Sequence, residues 1–195
     1  MPEKKEEKKA MMPQEKGSKI KELLEESQIS LLLDTYDDIF SDFDPRPYDH
    51  RALSDDFLLE ARKASRDKAT GTIELIFMMP AGKRDANKEN LIKKRLREHF
   101  KKHHARMQNE AKNIEKRGLY FILVGVSIMF IATFILFKYH EEGLFKSFMV
   151  VLLEPAGWFL FWEGLNQAIF EKRKKSPDID FYHKMSKADV RFESY

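Results

Sequence analysis

The chain has 195 residues, a formal charge of +3 and no cysteine. That length holds one small domain plus a short membrane anchor, and the missing thiols exclude a disulfide framework or a thiolate metal site. A mean hydropathy of -0.54 averages a heavily charged majority over two apolar runs, so it does not exclude a membrane protein.

Residues 1–17 mix lysine and glutamate around no apolar core. This predicts a solvated, disordered tail, neither a signal peptide nor a lipidation signal. The first apolar helix is then expected to serve as the insertion signal. Residues 18–26 predict a turn or two of helix capped by Ser18, with Ile20, Leu23 and Leu24 on one face. In 29–34, Ile29, Leu31 and Leu33 alternate as on a half-buried strand. Leu32 points the other way, so both faces are expected to be partly covered.

Five aspartates follow between Asp34 and Asp44, interleaved with Tyr36, Phe40 and Phe43. Pro45 and Pro47 each disfavour helix in the residue before them, so a compact acidic and aromatic turn should lead into an extended linker. Ser54 caps a helix running to about Ser65, with Asp55 and Asp56 where the helix dipole favours negative charge. Its buried stripe is expected to be Phe57, Leu58, Ala61 and Ala64. Residues 72–79 predict a strand with Ile73, Leu75 and Phe77 on one face, followed by a loop to Asn87. From 88 to 117 no proline or glycine interrupts. Ile92, Leu96, Phe100, Met107, Ala111 and Ile114 keep helical spacing, which predicts one long helix with Gly118 as a candidate break.

Residues 119–137 read LYFILVGVSIMFIATFILF, nineteen positions without charge. As a helix they span roughly 28 Å, near the thickness of a bilayer's hydrocarbon core. A second apolar run starts at Leu144 and fades near Phe170. The organisation expected is a disordered tail over 1–17, an α+β domain with a long juxtamembrane helix over 18–118, and spans at 119–138 and 147–170. A short external loop at 139–146 joins the spans, and a tail at 171–195 completes the sheet. In that tail Pro177 precedes a short helix around 180–185, and Val190 and Phe192 alternate on a last strand. The fold class is thus an α+β membrane protein, a two-helix transmembrane hairpin carrying a small domain of about three strands plus helices. Three strands do not each bury a face alone, so the last is expected to return across the hairpin and join the first two.

Charge sets the orientation. Lys101, Lys102, Arg106, Lys112, Lys116 and Arg117 precede the hairpin, and Lys172, Arg173, Lys174 and Lys175 follow it. The connecting stretch has only Lys138 and Lys146. The positive-inside rule predicts a plasma-membrane protein with both termini cytoplasmic. Tyr120, Tyr139 and Trp162 are candidate interface anchors.

The segment ISLLLDTYDDIFSDFDPRPYDHRALSDDFLLEARKAS, with the Gly157-Trp158 span, basic exit and short final strand, resembles a family of uncharacterised prokaryotic two-span membrane proteins. The resemblance covers most of the chain after Ile29. It implies a fold and a topology but no activity.

Four constellations are candidates for chemistry. Asp37, Asp38, Asp42 and Asp44 offer hard oxygen ligands for Mg²⁺ or Ca²⁺, but the spacing lacks the glycine and distal glutamate of an EF-hand. The plainer expectation is that they cap turns and pair with Arg46, Arg51 or the basic helix. With Tyr36, Phe40, Phe43 and Arg46 they also form a candidate docking surface. His99 and His103 have a chelating helical spacing, with His104 adjacent, yet flanking lysines and arginines repel a cation. Lys93, Lys94, Arg95, Arg97, Lys101, Lys102 and Arg106 form a basic face. No stacking platform or nucleic-acid motif accompanies it, so nucleic acid is not expected; the plainer expectation is a solvated helix face partly neutralised by the aspartates, with anionic lipid headgroups the nearest alternative contact. The second span carries Glu154, Trp158, Trp162 and Glu163. A carboxylate at mid-span costs about 2.5–3.5 kcal/mol on insertion scales and faces protein or water. The plainer expectation is a helix that starts nearer Leu152, with Glu154 beside Pro155 at its outer mouth; the residue types still make this span, rather than the first, the expected protein-facing one.

No phosphate-binding loop, nucleophile elbow, zinc signature or dinucleotide fingerprint is present. No cofactor is expected. The leading expectation is a non-enzymatic docking, regulatory or complex-assembly protein, in a homo-oligomer or larger membrane complex. The alternatives are an oligomeric cation pathway using Glu154 and, behind it, a membrane-tethered metal-dependent enzyme using the aspartates.

Overall fold

The computed structural model describes residues 28–66, 68, 73–138 and 143–195. The expected tail, the helix over 18–26, and residues 139–142 with Tyr139 lie outside them. The chain forms two compact units: residues up to Lys101 with Phe181–Tyr195, and Lys102–Asp180.

The first unit is built on a three-stranded sheet in the order β1 (Gln28–Leu32), β2 (Glu74–Met79), β3 (Asp189–Ser194). Both pairings are parallel, and the last strand does join the first two. Parallel neighbours need long crossovers. The first crossover holds a 3-10 turn (Tyr36–Ile39) and helix α1 (Asp55–Arg66). The second holds α2 (Ala86–Lys138), α3 (Leu144–Leu165) and α4 (Ser176–Lys187).

The register explains which residues are buried. Ile29, Leu75 and Val190 share one row, and Leu31, Phe77 and Phe192 another, on the same face. Phe57 of α1, Ile92, Leu96 and Phe100 of α2, and Phe181, Tyr182 and Met185 of α4 are all buried. Phe57 meets Phe77 with ring centroids 5.9 Å apart, and Phe100 meets Phe181 edge-on at 6.0 Å. The other face is partly covered: Ile76 at its centre is 6% exposed, while Leu32 at one end is 66% exposed. Polar contacts also cross it, Gln28 donating to Glu74 at 3.1 Å and Arg191 pairing with Glu74 at 3.2 Å. On α1, Ser65 is buried while Leu58 and Ala64 are half-buried, which moves the expected stripe by part of a turn.

In the second unit α2 runs through Gly118 without the break the sequence suggested. Its glycines serve close packing. A Cβ at Gly118 would lie 2.8 Å from the Gly164 carbonyl oxygen, and one at Gly125 would lie 2.7 Å from that of Gly157. Gly118 and Gly125 are one heptad apart, as are Gly157 and Gly164, and Ala111, Ala132 and Val150 extend the two rows as buried residues. A heptad row of small residues on each of two antiparallel helices lets their backbones approach. Helix α3 starts at Leu144, three residues before the expected boundary, and tolerates Pro155 inside it. It passes into a wider π-helical turn (Asn166–Glu171) and a single turn (Lys172–Lys174) before α4. Pro177 stands in the first turn of α4, where its missing N–H costs nothing, so this helix is twice as long as the six residues expected.

Candidate functional site

Parallel strands end at one edge of a sheet, and the polar groups of the first unit gather past those ends. Beyond β1 the chain enters Asp34, Thr35 and Tyr36. The Asp38 carboxylate accepts the backbone N–H of Asp34 at 2.7 Å and of Thr35 at 2.9 Å. That holds the start of the 3-10 turn. Tyr36 is thereby turned inward and is 5% exposed. Its hydroxyl donates to the buried Glu89 carboxylate at 3.2 Å and accepts the Asp85 N–H at 2.7 Å. Past β2, Arg84 grips both Glu89 oxygens, at 2.8 and 3.1 Å. It also donates to the Ser194 hydroxyl, at the end of β3, at 2.9 Å.

One network therefore ties the ends of all three strands to the first turn of α2. Arg84 beside Glu89 holds that carboxyl below its ordinary value, and burial pushes the Tyr36 hydroxyl up. A fully bonded polar cluster of this kind fixes a unique arrangement. Sequence reasoning missed it and left residues 80–87 as loop. The available signal was Asp85, which caps α2 by accepting the Asn87 N–H at 2.9 Å and starts the helix at Ala86.

The four aspartates singled out in the sequence point to separate tasks. Asp44 accepts the Ala52 N–H at 2.6 Å and the Arg46 guanidinium at 2.7 Å. These bonds hold its carboxyl well below the usual carboxylate range. Asp37 takes Arg51 at 2.5 Å and the Tyr48 hydroxyl at 3.2 Å. Asp38 serves the turn, and Asp42 stands at the surface 3.9 Å from Arg51. No group of three or more His, Asp or Glu side chains among the described residues is placed to hold a metal ion.

Of the candidate docking residues, Tyr36 and Phe40 are core, 5% and 2% exposed. Arg51 lies over the Phe40 ring at 5.9 Å and donates to the Ser41 carbonyl at 3.0 Å. Ser41 in turn donates its N–H to Ala52 at 2.9 Å. The result is a rigid loop with Phe43 at its tip, 98% exposed. Asp42 and Asp44 flank it in sequence, and Asp37 and Asp38 are exposed on the same loop system.

On the basic face, Lys93 lies over the Phe192 ring and Arg95 donates to the Arg51 carbonyl at 3.0 Å. Lys94, Arg97, Lys101, Lys102 and Arg106 are exposed. His99 packs edge-on against Phe100 at 5.6 Å.

In the second unit the two acids of α3 are unlike each other. Glu163 accepts from Gln167 at 2.6 Å, and Gln167 accepts from Arg117 at 2.7 Å. Lys172–Glu115 at 2.8 Å and Lys175–Glu110 at 3.6 Å extend this polar clasp. Glu154, Trp158 and Trp162 instead share an exposed flank, the two tryptophans edge-on at 5.6 Å. The face that α3 turns to α2 is the Val150–Gly157–Gly164 row, so the expectation that the acid and tryptophans make this span protein-facing does not hold within one chain. The helix starts at Leu144 and not near Leu152, so Glu154 lies inside it rather than at its first turn.

Two helices of the described chain are long and apolar enough to cross a membrane. Among the described residues, the large apolar side chains that stay exposed lie between Leu119 and Phe170, except Leu32, Phe43, Leu59, Leu91 and Tyr195. No family model matches the chain, nor does any curated protein or solved structure, so its functional reading rests on sequence and geometry.

Proposed function

We propose that the chain is a two-span integral membrane protein that docks or assembles a partner and carries out no catalysis. Its small parallel-sheet unit and both termini lie on the cytoplasmic side. The observation that carries the membrane reading is the coating of exposed Leu, Phe, Val and Trp around a hairpin closed by glycine contacts. A water-facing patch of that extent is unfavourable, whereas lipid requires it. The basic residues at both inner ends support the orientation, and the exposed cations of α2 suit anionic headgroups.

The docking reading is supported by the Phe43 loop. Asp44, Arg46 and Arg51 are all spent holding the loop, yet its tip presents one aromatic ring among exposed carboxylates. That surface is complementary to a basic segment with an apolar pocket, in which an exposed aromatic acts as an anchor.

The test uses the cysteine-free chain. Alkaline carbonate should leave the protein in the membrane pellet. Phe43→Cys and Ser194→Cys should be shielded from an impermeant thiol reagent in intact cells, while Gly143→Cys should react. Labelling at position 43 or 194 would sink the orientation, and release by carbonate would sink the membrane reading.

A further inference from the structure

The glycine contacts fix the register of the hairpin, and the register fixes the depth of Glu154. Gly125 lies against Gly157 and Gly118 against Gly164. Three residues past Gly125 is Ile128, and three before Gly157 is Glu154, so these two are level in an antiparallel pair. Ile128 is the central residue of the uncharged run 119–137. Glu154 is therefore at mid-depth of the apolar zone. Glu163, by the same count, is level with Leu119 at its edge, where the clasp with Gln167 and Arg117 satisfies it.

Glu154 has no such clasp. Among the described residues it has no hydrogen-bond or ion-pair partner, and it is exposed on the flank of α3. The two hydroxyl groups of the first helix nearest that depth are occupied: Ser127 donates to the Leu123 carbonyl at 2.8 Å and Thr133 to that of Met129 at 2.9 Å. A carboxyl group at that depth has to face protein or water.

Resting on the membrane reading above, we propose that this flank is a self-association face. Two copies of the chain meet along Val151, Glu154, Trp158 and Trp162, with their Glu154 carboxyl groups hydrogen-bonded to each other. The occupant follows from what a second copy offers. Positions 119–137 and 147–165 hold no lysine, arginine or histidine, so a second hairpin supplies no cation at this depth. It supplies another Glu154. A protonated carboxyl group donates through its O–H and accepts through its C=O, so it is complementary to itself. A two-fold axis brings a residue against its own copy. The exposed faces of Val151, Trp158 and Trp162, 70%, 55% and 53% accessible in one chain, then pack around the pair and exclude lipid from it.

The test again uses the natural absence of cysteine. Val151→Cys and Leu152→Cys sit at nearly the same depth but about 100° apart around the helix. In native membranes under oxidant, the full-length Val151→Cys chain is expected to form a disulfide dimer about tenfold more than Leu152→Cys does. Adding Glu154→Leu should lose that excess, while adding Glu154→Gln should keep it, because an amide also pairs with itself. Four results would overturn the proposal: no dimer with Val151→Cys, equal dimer with Leu152→Cys, a Glu154→Leu chain that dimerises unchanged, or a cross-link to a different protein. Carbonate extraction of the same membranes is run in parallel. A chain that stays in the pellet but does not cross-link refutes self-association alone, and a chain that is released refutes the membrane reading beneath it.

Discussion

Gly125 and Gly157 face each other across the helical hairpin with no side chain between them: a Cβ built on Gly125 would lie 2.7 Å from the Gly157 carbonyl oxygen, and one built on Gly157 would lie 3.0 Å from that of Gly125. Around Gly125 the obstacles are all backbone, of Gly157 and Phe161, which cannot swing away as a side chain can; around Gly157 the Met129 Cγ at 2.7 Å stands nearest. Gly125→Ala is therefore expected to push the helices apart and destabilise the hairpin by about 1–3 kcal/mol, the usual cost of overpacking. Gly82→Ala, with nothing within 4 Å of the new methyl group, should stay within about 0.5 kcal/mol of the parent. Thermal unfolding in a mild detergent checks the pair. Equal melting temperatures for the two variants would show that the helices are not held this closely.

Much of this architecture was legible because hydrophobic periodicity reports burial directly. The alternation at Ile29, Leu75, Phe77, Val190 and Phe192 placed three strands, and the uninterrupted run after Asn87 placed a long helix. What periodicity does not report is which strands pair and in which direction, so the parallel sheet was not anticipated. Nor does residue type report which face of α3 meets α2: Trp158 and Glu154 stand out in the sequence, yet glycines at 157 and 164 set that contact through what they lack. The heptad spacing of Gly118 with Gly125 and of Gly157 with Gly164 was present in the sequence and was the readable signal. The Tyr36–Glu89–Arg84 cluster was not readable, since Glu89 and Arg84 lie 53 and 48 positions from Tyr36 in the chain and meet it only once the strands end at one edge.

That cluster makes a second prediction. Arg84→Met leaves the Glu89 carboxylate buried with only the Tyr36 hydroxyl for company. Arg84 is 31% exposed in its side chain and Glu89 8%, so the loss is discounted from that of a fully buried pair, to about 2–3 kcal/mol. The double variant Arg84→Met with Glu89→Leu should recover part of that loss, because an apolar pair of similar volume has no unpaired charge. Denaturant unfolding of the three proteins measures it. A double variant no more stable than Arg84→Met alone would show that the unpaired Glu89 charge is not what carries the loss.

Stability should also depend on pH from both sides. Arg84 depresses the Glu89 pKa below its ordinary 4.5, and Arg46 with the Ala52 N–H depresses that of Asp44 below 3.8. A folded pKa lower than the unfolded one gives stability that is present above the ordinary value and lost as pH falls through the folded one. The acid loss should thus begin below about pH 4.5 and continue downward. Burial raises the Tyr36 and Tyr48 pKa above 10.0. Their contribution is full below that value and lost as pH rises through the folded pKa. Melting temperatures across pH 2–12 should show a plateau between the limbs. Glu89→Gln should flatten the acid limb, and Tyr48→Phe the alkaline one.

The Phe43 loop separates stability from docking. Phe43→Ser removes a ring that is 98% exposed and touches no core, so unfolding should shift by less than about 0.5 kcal/mol. Asp44→Ala, by contrast, frees the Ala52 N–H and the Arg46 guanidinium that it holds, and a larger loss of stability than that of Phe43→Ser is expected from the turn it organises. If the loop anchors a partner, the Phe43→Ser protein, folded and membrane-bound, should migrate as a smaller species on native gels of solubilised membranes. Reversing the flanking charge with Asp42→Lys should do the same, because a basic partner would be repelled. Unchanged migration of both variants would remove the loop as the docking surface while leaving its structural role intact.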